Sequence, residues 1–198
     1  SKVYLQSLID HQYNIIATYT QPPRKQGRGM QIQKSPVHAL SLEHNIPVFH
    51  PKNLTSFESI NELKKLKPDL VVIMGYGLLL PKSILQAPLY GCINIHVSLL
   101  PRWRGAAPIE YAILNGDEKT GVSIFLLEEK LDAGPIIATQ EININKNINK
   151  EDLTSELNIL GTVLLINTLP DLLDNKISMQ KQDEAYVTYA KKITSELR

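Results

Sequence analysis

The run DLVVIM, Asp69 to Met74, is apolar at every position after its first and stops at Gly75-Tyr76-Gly77. Alternation would mark a strand with one wet face; an unbroken apolar run is the signature of a parallel strand covered on both faces, and the glycines after it read as a turn. Downstream, CINIH (Cys92 to His96) is another such strand, followed by a loop from Ser98 to Gly105 and a helix from Ala106 to Leu114. Thr120 to Glu128 and Pro135 to Ile144 read as two longer strands joined by a short turn, a hairpin. Glu151 to Asp174 carries Leu153, Leu157, Leu160, Leu164 and Leu165 at the spacing of a long amphipathic helix. Upstream, Asn14 to Thr20 and Pro47 to Phe49 read as short strands, and Val37 to Asn45 and Ser56 to Leu66 as helices, with a polar loop from Gln21 to Pro36 between them. The order predicts an α/β fold: a mostly parallel sheet with a late antiparallel pair and helices on both faces.

The chain has 198 residues, 43% of them hydrophobic and 21% charged, which suits one domain with a real core and excludes bulk disorder. A chain of this mass buries about 70% of its surface on folding. No continuous apolar run of 18 residues is present, so no spanning helix and no membrane partner are expected. The single Cys92 excludes an internal disulfide framework and a multi-cysteine zinc site. No basic-then-apolar leader opens the chain, so a cytoplasmic protein is expected. The chain opens at Ser1 within a helical pattern (Val3, Leu5, Leu8, Ile9), which reads as a fragment. His38, His44 and His50 recur at six-residue intervals, unlike the i, i+4 spacing of helical ligands; surface roles and no metal are expected. EININKNINK, Glu141 to Lys150, reads as a half-exposed strand end running into a loop.

A net charge of +1 gives no overall pull on nucleic acid, so such a case must be local. The loop Gln21 to Pro36 makes it: Arg24, Lys25, Arg28 and Lys34 with no acidic residue. Sixteen structureless residues inside a compact domain are usually functional or disordered.

Asn94 and His96 stand two apart at the end of a strand, so their side chains share one face, roughly 6 to 7 Å apart. Ligands of open α/β sheets bind outside the carboxyl ends of the strands. There an imidazole can move protons near neutral pH, and an Asn amide can donate to an oxyanion. Asp132, in the turn EKLDAGP, supplies a carboxylate that would orient the imidazole and favour its charged form. Taken singly, a strand-end His also serves as a hydrogen-bonded surface residue, and an Asp before Ala-Gly-Pro as a turn former.

The surrounding run, Ile93 to Ile137, resembles the core of the formyltransferases that use 10-formyltetrahydrofolate. Asn94, His96, Ser98, Leu99, Leu100, Pro101, Gly105, Thr120, Gly121, Asp132 and Gly134 match that pattern in order. LLPRWRGAAPI (Leu99 to Ile109), TQPPRKQGRG (Thr20 to Gly29) and VTYAKKI (Val187 to Ile193) are similar to the methionyl-tRNA formyltransferases among them. The resemblance implies a Rossmann-like formyltransferase fold, with residues 1–180 as the catalytic domain, its first strand missing. Residues 181–198 would begin a linker to an absent C-terminal barrel domain. It implies transfer of a formyl group from 10-formyltetrahydrofolate to the amino group of methionyl-tRNA for translation initiation, by a monomer.

Asn94 would hold the oxyanion, and His96 would either stabilise it when protonated or shuttle the amine's proton. Asp132 would fix His96 and an ordered water. Folate would lie on Met74, Gly75, Tyr76, Gly77, Leu78 and Leu79 and on Ser98, Leu99, Leu100 and Pro101. The acceptor end of the initiator tRNA would meet Arg24, Lys25, Arg28 and Lys34. Trp103 is expected to pack, and its neighbours Arg102 and Arg104 to add positive potential at the cleft mouth. Two positions depart from the family: Val97 replaces a Gly beside His96, and Pro23 replaces a loop Asp. The alternatives are a formyltransferase acting on an amino sugar or glycinamide nucleotide, a formyl-folate hydrolase, or an inactive fragment that binds folate or tRNA.

Overall fold

The computed structural model describes residues 1–26, 31–76 and 80–193. Chain order begins with α1 (Lys2–Asp10), β1 (Thr18–Tyr19), β2 (Arg24–Gln26), β3 (Gln31–Gln33), α2 (Pro36–Glu43), β4 (Val48–Phe49), α3 (Phe57–Leu66) and β5 (Val71–Ile73). It continues with α4 (Lys82–Leu85), β6 (Cys92–His96), β7 (Arg104–Gly105), α5 (Pro108–Leu114), β8 (Lys119–Leu126), β9 (Ile136–Asn143), α6 (Lys150–Leu173) and β10 (Tyr189–Ala190). Helix starts follow their capping chemistry: Ser35, Ser56 and Asn149 each accept from a backbone N–H three residues on.

The largest sheet has the order β5-β6-β8-β9. β5 and β6 are parallel, while β8 runs antiparallel to both β6 and β9. The expected late hairpin is therefore present, and the sheet it joins is mixed. β1 pairs in parallel with β4, and β7 with β10, as separate two-stranded sheets. Ile93 and Ile95 of β6 and Val122 and Ile124 of β8 form the core with Tyr4 of α1 and with Leu153, Leu157, Leu165 and Leu169 of α6. By length and composition α6 is apolar enough to cross a membrane, although polar residues interrupt its apolar run. Leu153, Leu157, Leu165, Leu169 and Leu172 pack in the core, while Ile159 and Val163 stay exposed. β9 turns outward towards its end, with Thr139, Gln140 and Glu141 exposed, as EININKNINK implied.

Three regions depart from expectation. The loop Gln21 to Pro36 contains an antiparallel ribbon, with Arg24 opposite Gln33 and Gln26 opposite Gln31. Its two strands, RKQ and QIQ, are too short and too polar for an alternation to mark them. β5 is only half-buried, because it is an edge strand and not a covered one. Among the described residues both β1 and β5 have a strand neighbour on one side only, and both line a cavity of about 660 Å³ shared with Tyr4, Leu8, Leu63, Leu66, Leu169 and Leu173. Across its rim the Gln21 amide donates to the Tyr76 carbonyl at 3.0 Å. The stretch from Met179, read as the beginning of a linker, lies on the domain as far as Ala190: Gln182 and Ala190 are buried, and Ala190 pairs with Gly105.

Candidate active site

β6 carries Asn94 and His96 on one face, in register with Phe125 and Ser123 of β8. Beyond His96 the chain turns sharply, and Ser123 holds the turn: its hydroxyl donates to Ser98 O at 2.7 Å and accepts from Leu100 N at 3.0 Å. Ser98 donates to Arg102 O at 2.6 Å. That loop returns the backbone over the imidazole, and His96 Nε2 lies 2.8 Å from Trp103 O. A carbonyl only accepts, so Nε2 carries a proton and donates it there. The ring meets Phe125 edge-on and is 6% exposed.

Nδ1 faces the other way, 3.9 Å from Asp132 Oδ2. That is longer than a direct hydrogen bond and is an ion-pair distance when the imidazole is protonated. The same carboxylate oxygen accepts from Gly105 N at 2.8 Å. The two residues flanking the ring, Trp103 (φ 60°) and Asp132 (φ 46°), both sit in the left-handed region. Asp tolerates it; a Trp there stores strain of the kind found at functional sites. Gly105, at φ 119°, admits no side chain, since a Cβ would lie 2.6 Å from Ala190 O. Gly134 is equally constrained, by Leu126 O at 1.8 Å from where a Cβ would stand. The Asp-x-Gly pattern is thus a close approach of the Asp132 turn to the end of β8. Asn94 Oδ1 is buried with no hydrogen-bond partner, so this amide is not used up in holding the strand end.

The structure therefore brings Asp132 to His96, across 36 residues of sequence, on the strand face that also bears Asn94. Val97 points away from them and packs against the core cluster. Of the expected folate residues, Met74 is half-buried against the core, Gly75 is exposed with φ 58°, and Tyr76 has a buried hydroxyl without a partner. Burial raises that phenol's pKa. Gly77, Leu78 and Leu79 lie outside the described residues. Ser98 and Leu100 are buried within their own loop, leaving Leu99 and Pro101 half-exposed. Arg24 and Lys25 lie on β2, Lys34 is exposed just after β3, and Arg28 is outside the described residues.

Two expectations about the loop are corrected. Arg104 adds no potential to the cleft mouth: it is fully buried, bonded to Gln182 and to Glu184. Arg102 is bound by both carboxylate oxygens of Asp117, which neutralises it locally. Trp103 is 8% exposed and packs as expected, donating from Nε1 to Asp117 at 2.7 Å. His38 is likewise no surface residue; it is buried, its ring stacked on His50 at 5.8 Å. Burial, then the charges of Lys34 and His50, lower its pKa. Sequence reasoning missed Ser123 and Gln182, both polar groups whose partners are distant in the chain.

An amide, an imidazole and a carboxylate thus stand at the carboxyl end of β6, on a mixed α/β sheet, with the groups that a proton-moving, oxyanion-binding site needs. The chain belongs to the formyl transferase family, which it matches over residues 2–169. It is 47% identical to methionyl-tRNA formyltransferase of Methylococcus capsulatus over 96% of this chain and 61% of the relative. With methionyl-tRNA formyltransferase of Pseudoalteromonas translucida the identity is 44%, over 98% of this chain and 60% of the relative. The chain thus spans about three-fifths of the length of these curated relatives. Among solved structures it is similar to phosphoribosylglycinamide formyltransferase from Bacillus halodurans, at 30% identity and a TM-score of 0.73, over 87% of this chain and 88% of that one.

Proposed function

We propose that this chain transfers the formyl group of 10-formyltetrahydrofolate to the amino group of methionyl-tRNA, acting as a monomer in the cytoplasm. The observation that carries the chemistry is the meeting of His96 Nδ1 with Asp132 Oδ2 on the face that bears an uncommitted Asn94 amide. The identity of 44% and 47% to enzymes of that name supports the acceptor.

The amine nitrogen attacks the formyl carbon and a tetrahedral intermediate forms. The Asn94 amide donates to the developing oxyanion, a contribution of about 3 kcal/mol for one such donor. His96 Nε2 is committed to the Trp103 carbonyl, so Nδ1 is the nitrogen free to exchange a proton. Asp132, 3.9 Å from Nδ1, orients the ring while that exchange occurs. Collapse breaks the bond to the folate nitrogen, which takes a proton as the amine loses one.

In this reading the catalytic unit of residues 1–180 is completed by the stretch as far as Ala190, which packs on it. Folate lies against Met74 to Leu79 and the half-exposed side of Leu99 to Pro101. The tRNA acceptor end meets the basic stretch Gln21 to Pro36 through Arg24, Lys25, Arg28 and Lys34. Four phosphate contacts would give a salt slope no steeper than about −4.

Supplying 10-formyltetrahydrofolate with methionyl-tRNA, and separately with glycinamide nucleotide or an amino sugar, tests the acceptor. Formyl-methionyl-tRNA is the expected product; formylation of a small amine alone would overturn the reading in favour of the enzyme type solved from Bacillus halodurans. In the same assay, Arg28→Ala with Lys34→Ala should raise KM for the tRNA and leave folate affinity unchanged. Equal loss for both ligands would make the ribbon a structural element.

A further inference from the structure

The segment that follows Met179 is polar, yet it delivers one side chain to the heart of the molecule. Gln182 is 4% exposed, and all four of its hydrogen-bonding positions are filled. Its Oε1 accepts from Arg104 Nε at 3.0 Å and from Arg104 Nη2 at 2.8 Å. Its Nε2 donates to Asp132 O at 2.9 Å and to Gly134 O at 2.8 Å. One amide therefore joins two pieces of chain, and each piece touches His96 on a different nitrogen. The Arg104 piece includes Trp103, whose carbonyl takes the Nε2 proton, and Gly105, whose N–H holds the Asp132 carboxylate. The Asp132 piece presents that carboxylate to Nδ1.

The backbone of the same segment reinforces the arrangement. Thr188 O accepts from Arg104 N at 2.9 Å, Thr188 Oγ1 from Trp103 N at 2.8 Å, and Ala190 O from Ala106 N at 2.8 Å. The Arg104 guanidinium, fully buried, has Glu184 as its one carboxylate. A left-handed Asp in a turn has nothing intrinsic to keep it at one distance from a histidine on another strand. The Gln182 amide constrains the backbone of that turn, beside the Gly105 N–H that holds its carboxylate.

We propose that Gln182 is a positioning residue: by fastening the Asp132 turn to the Arg104 loop it sets where the Asp132 carboxylate stands relative to His96. The inference rests on the formyl-transfer reading for its catalytic consequence, and on geometry alone for its structural one. Gln182→Glu is the selective probe. It keeps oxygens for Arg104 and loses both donations to the Asp132 and Gly134 carbonyls.

A displacement of about 1 Å at a catalytic group costs on the order of a hundredfold in rate. For Gln182→Glu we expect kcat to fall ten- to a hundredfold while KM for folate and for methionyl-tRNA stays within twofold. Asp132→Asn combined with Gln182→Glu should be no slower than Asp132→Asn alone, because the second change acts only through the first residue. Exposed Lys181→Gln, one residue away, should match the parent enzyme. Independently of turnover, the His96 ring resonances in Gln182→Glu should move towards those of Asp132→Asn, with those of His11, His38, His44 and His50 unmoved. Additive losses in the double variant, or an unmoved His96 resonance, would overturn the inference. If the parent chain transfers no formyl group but the His96 resonance moves as stated, the functional reading fails and the positioning role stands.

Discussion

His96 has one nitrogen tied to a carbonyl and one turned to a carboxylate, so the residue has a single proton-exchanging face. Replacing it by Ala should cut turnover at least about a hundredfold, and Asn94→Ala should do the same; the unfolding midpoint should change little for Asn94→Ala and fall for His96→Ala, which leaves the Trp103 carbonyl without its donor. Asn94 makes no bond through Oδ1 whose loss would destabilise the strand. Steady-state rates and thermal melts of the two variants check this; near-normal turnover in either would remove that residue from the chemistry. These residues were legible because strand geometry fixes which side chains share a face, and the resemblance then picked out the partner in a distant turn. Gln182 was not legible. A glutamine in a polar tail has no periodicity to betray it, and its value comes from two carbonyls about 50 residues away, the separations being 50 and 48. Arg104 misled for the same reason: an arginine beside a cleft reads as exposed charge until its buried partners are seen.

At the scale of elements, the loop between β6 and α5 is held to the start of β8 by one carboxylate. Asp117 accepts from Trp103 Nε1 and from Arg102, while Arg102 lies 4.3 Å over the Trp103 ring. Burial pushes the Asp117 pKa up, but the hydrogen bonds from Arg102 and Trp103 outweigh it and leave the group below the usual carboxylate value. A folded-state value below the unfolded one, about 3.9 for Asp, gives stability that is present above the unfolded value and is lost as pH falls through the folded one. Arg102 is 44% exposed on its side chain, so solvent weakens its share, while the Trp103 bond lies on a buried ring. Asp117→Asn should therefore cost about 1–2 kcal/mol at pH 7, and the difference should shrink at about pH 3 and below. Denaturant melts of both proteins at the two pH values check it; an equal gap at both would mean that packing, not charge, is responsible. The helices other than α4, and β8–β9, were readable from the sequence pattern. β2, β3, β7 and β10, of two or three residues each, were not, because so short a strand is made by its partner's backbone and leaves no pattern of its own.

For the molecule as a whole, area and topology tell one story. The chain exposes 12107 Å², against roughly 9,400 Å² for a compact monomer of this mass. Part of that surface lines the cavity between β1 and β5, where two strand edges face one space walled by Leu8, Leu63, Leu66 and Leu173. This explains why DLVVIM has the composition of a covered strand and only half the burial. Its volume, about 660 Å³, is within the range of small-molecule pockets. An amphipathic dye such as anilinonaphthalene sulfonate should accordingly bind the native protein at about one site and brighten. Ile16 lines the space and is 37% exposed, so Ile16→Lys sets a charge there while disturbing little packing. It should lower the bound emission severalfold with a stability change of no more than about 0.5 kcal/mol. Fluorescence titration beside a denaturant melt separates the cases. Loss of emission together with loss of stability would point to a loosened core, whereas unchanged emission would mean that the dye binds elsewhere and that the two edges are closed to ligands.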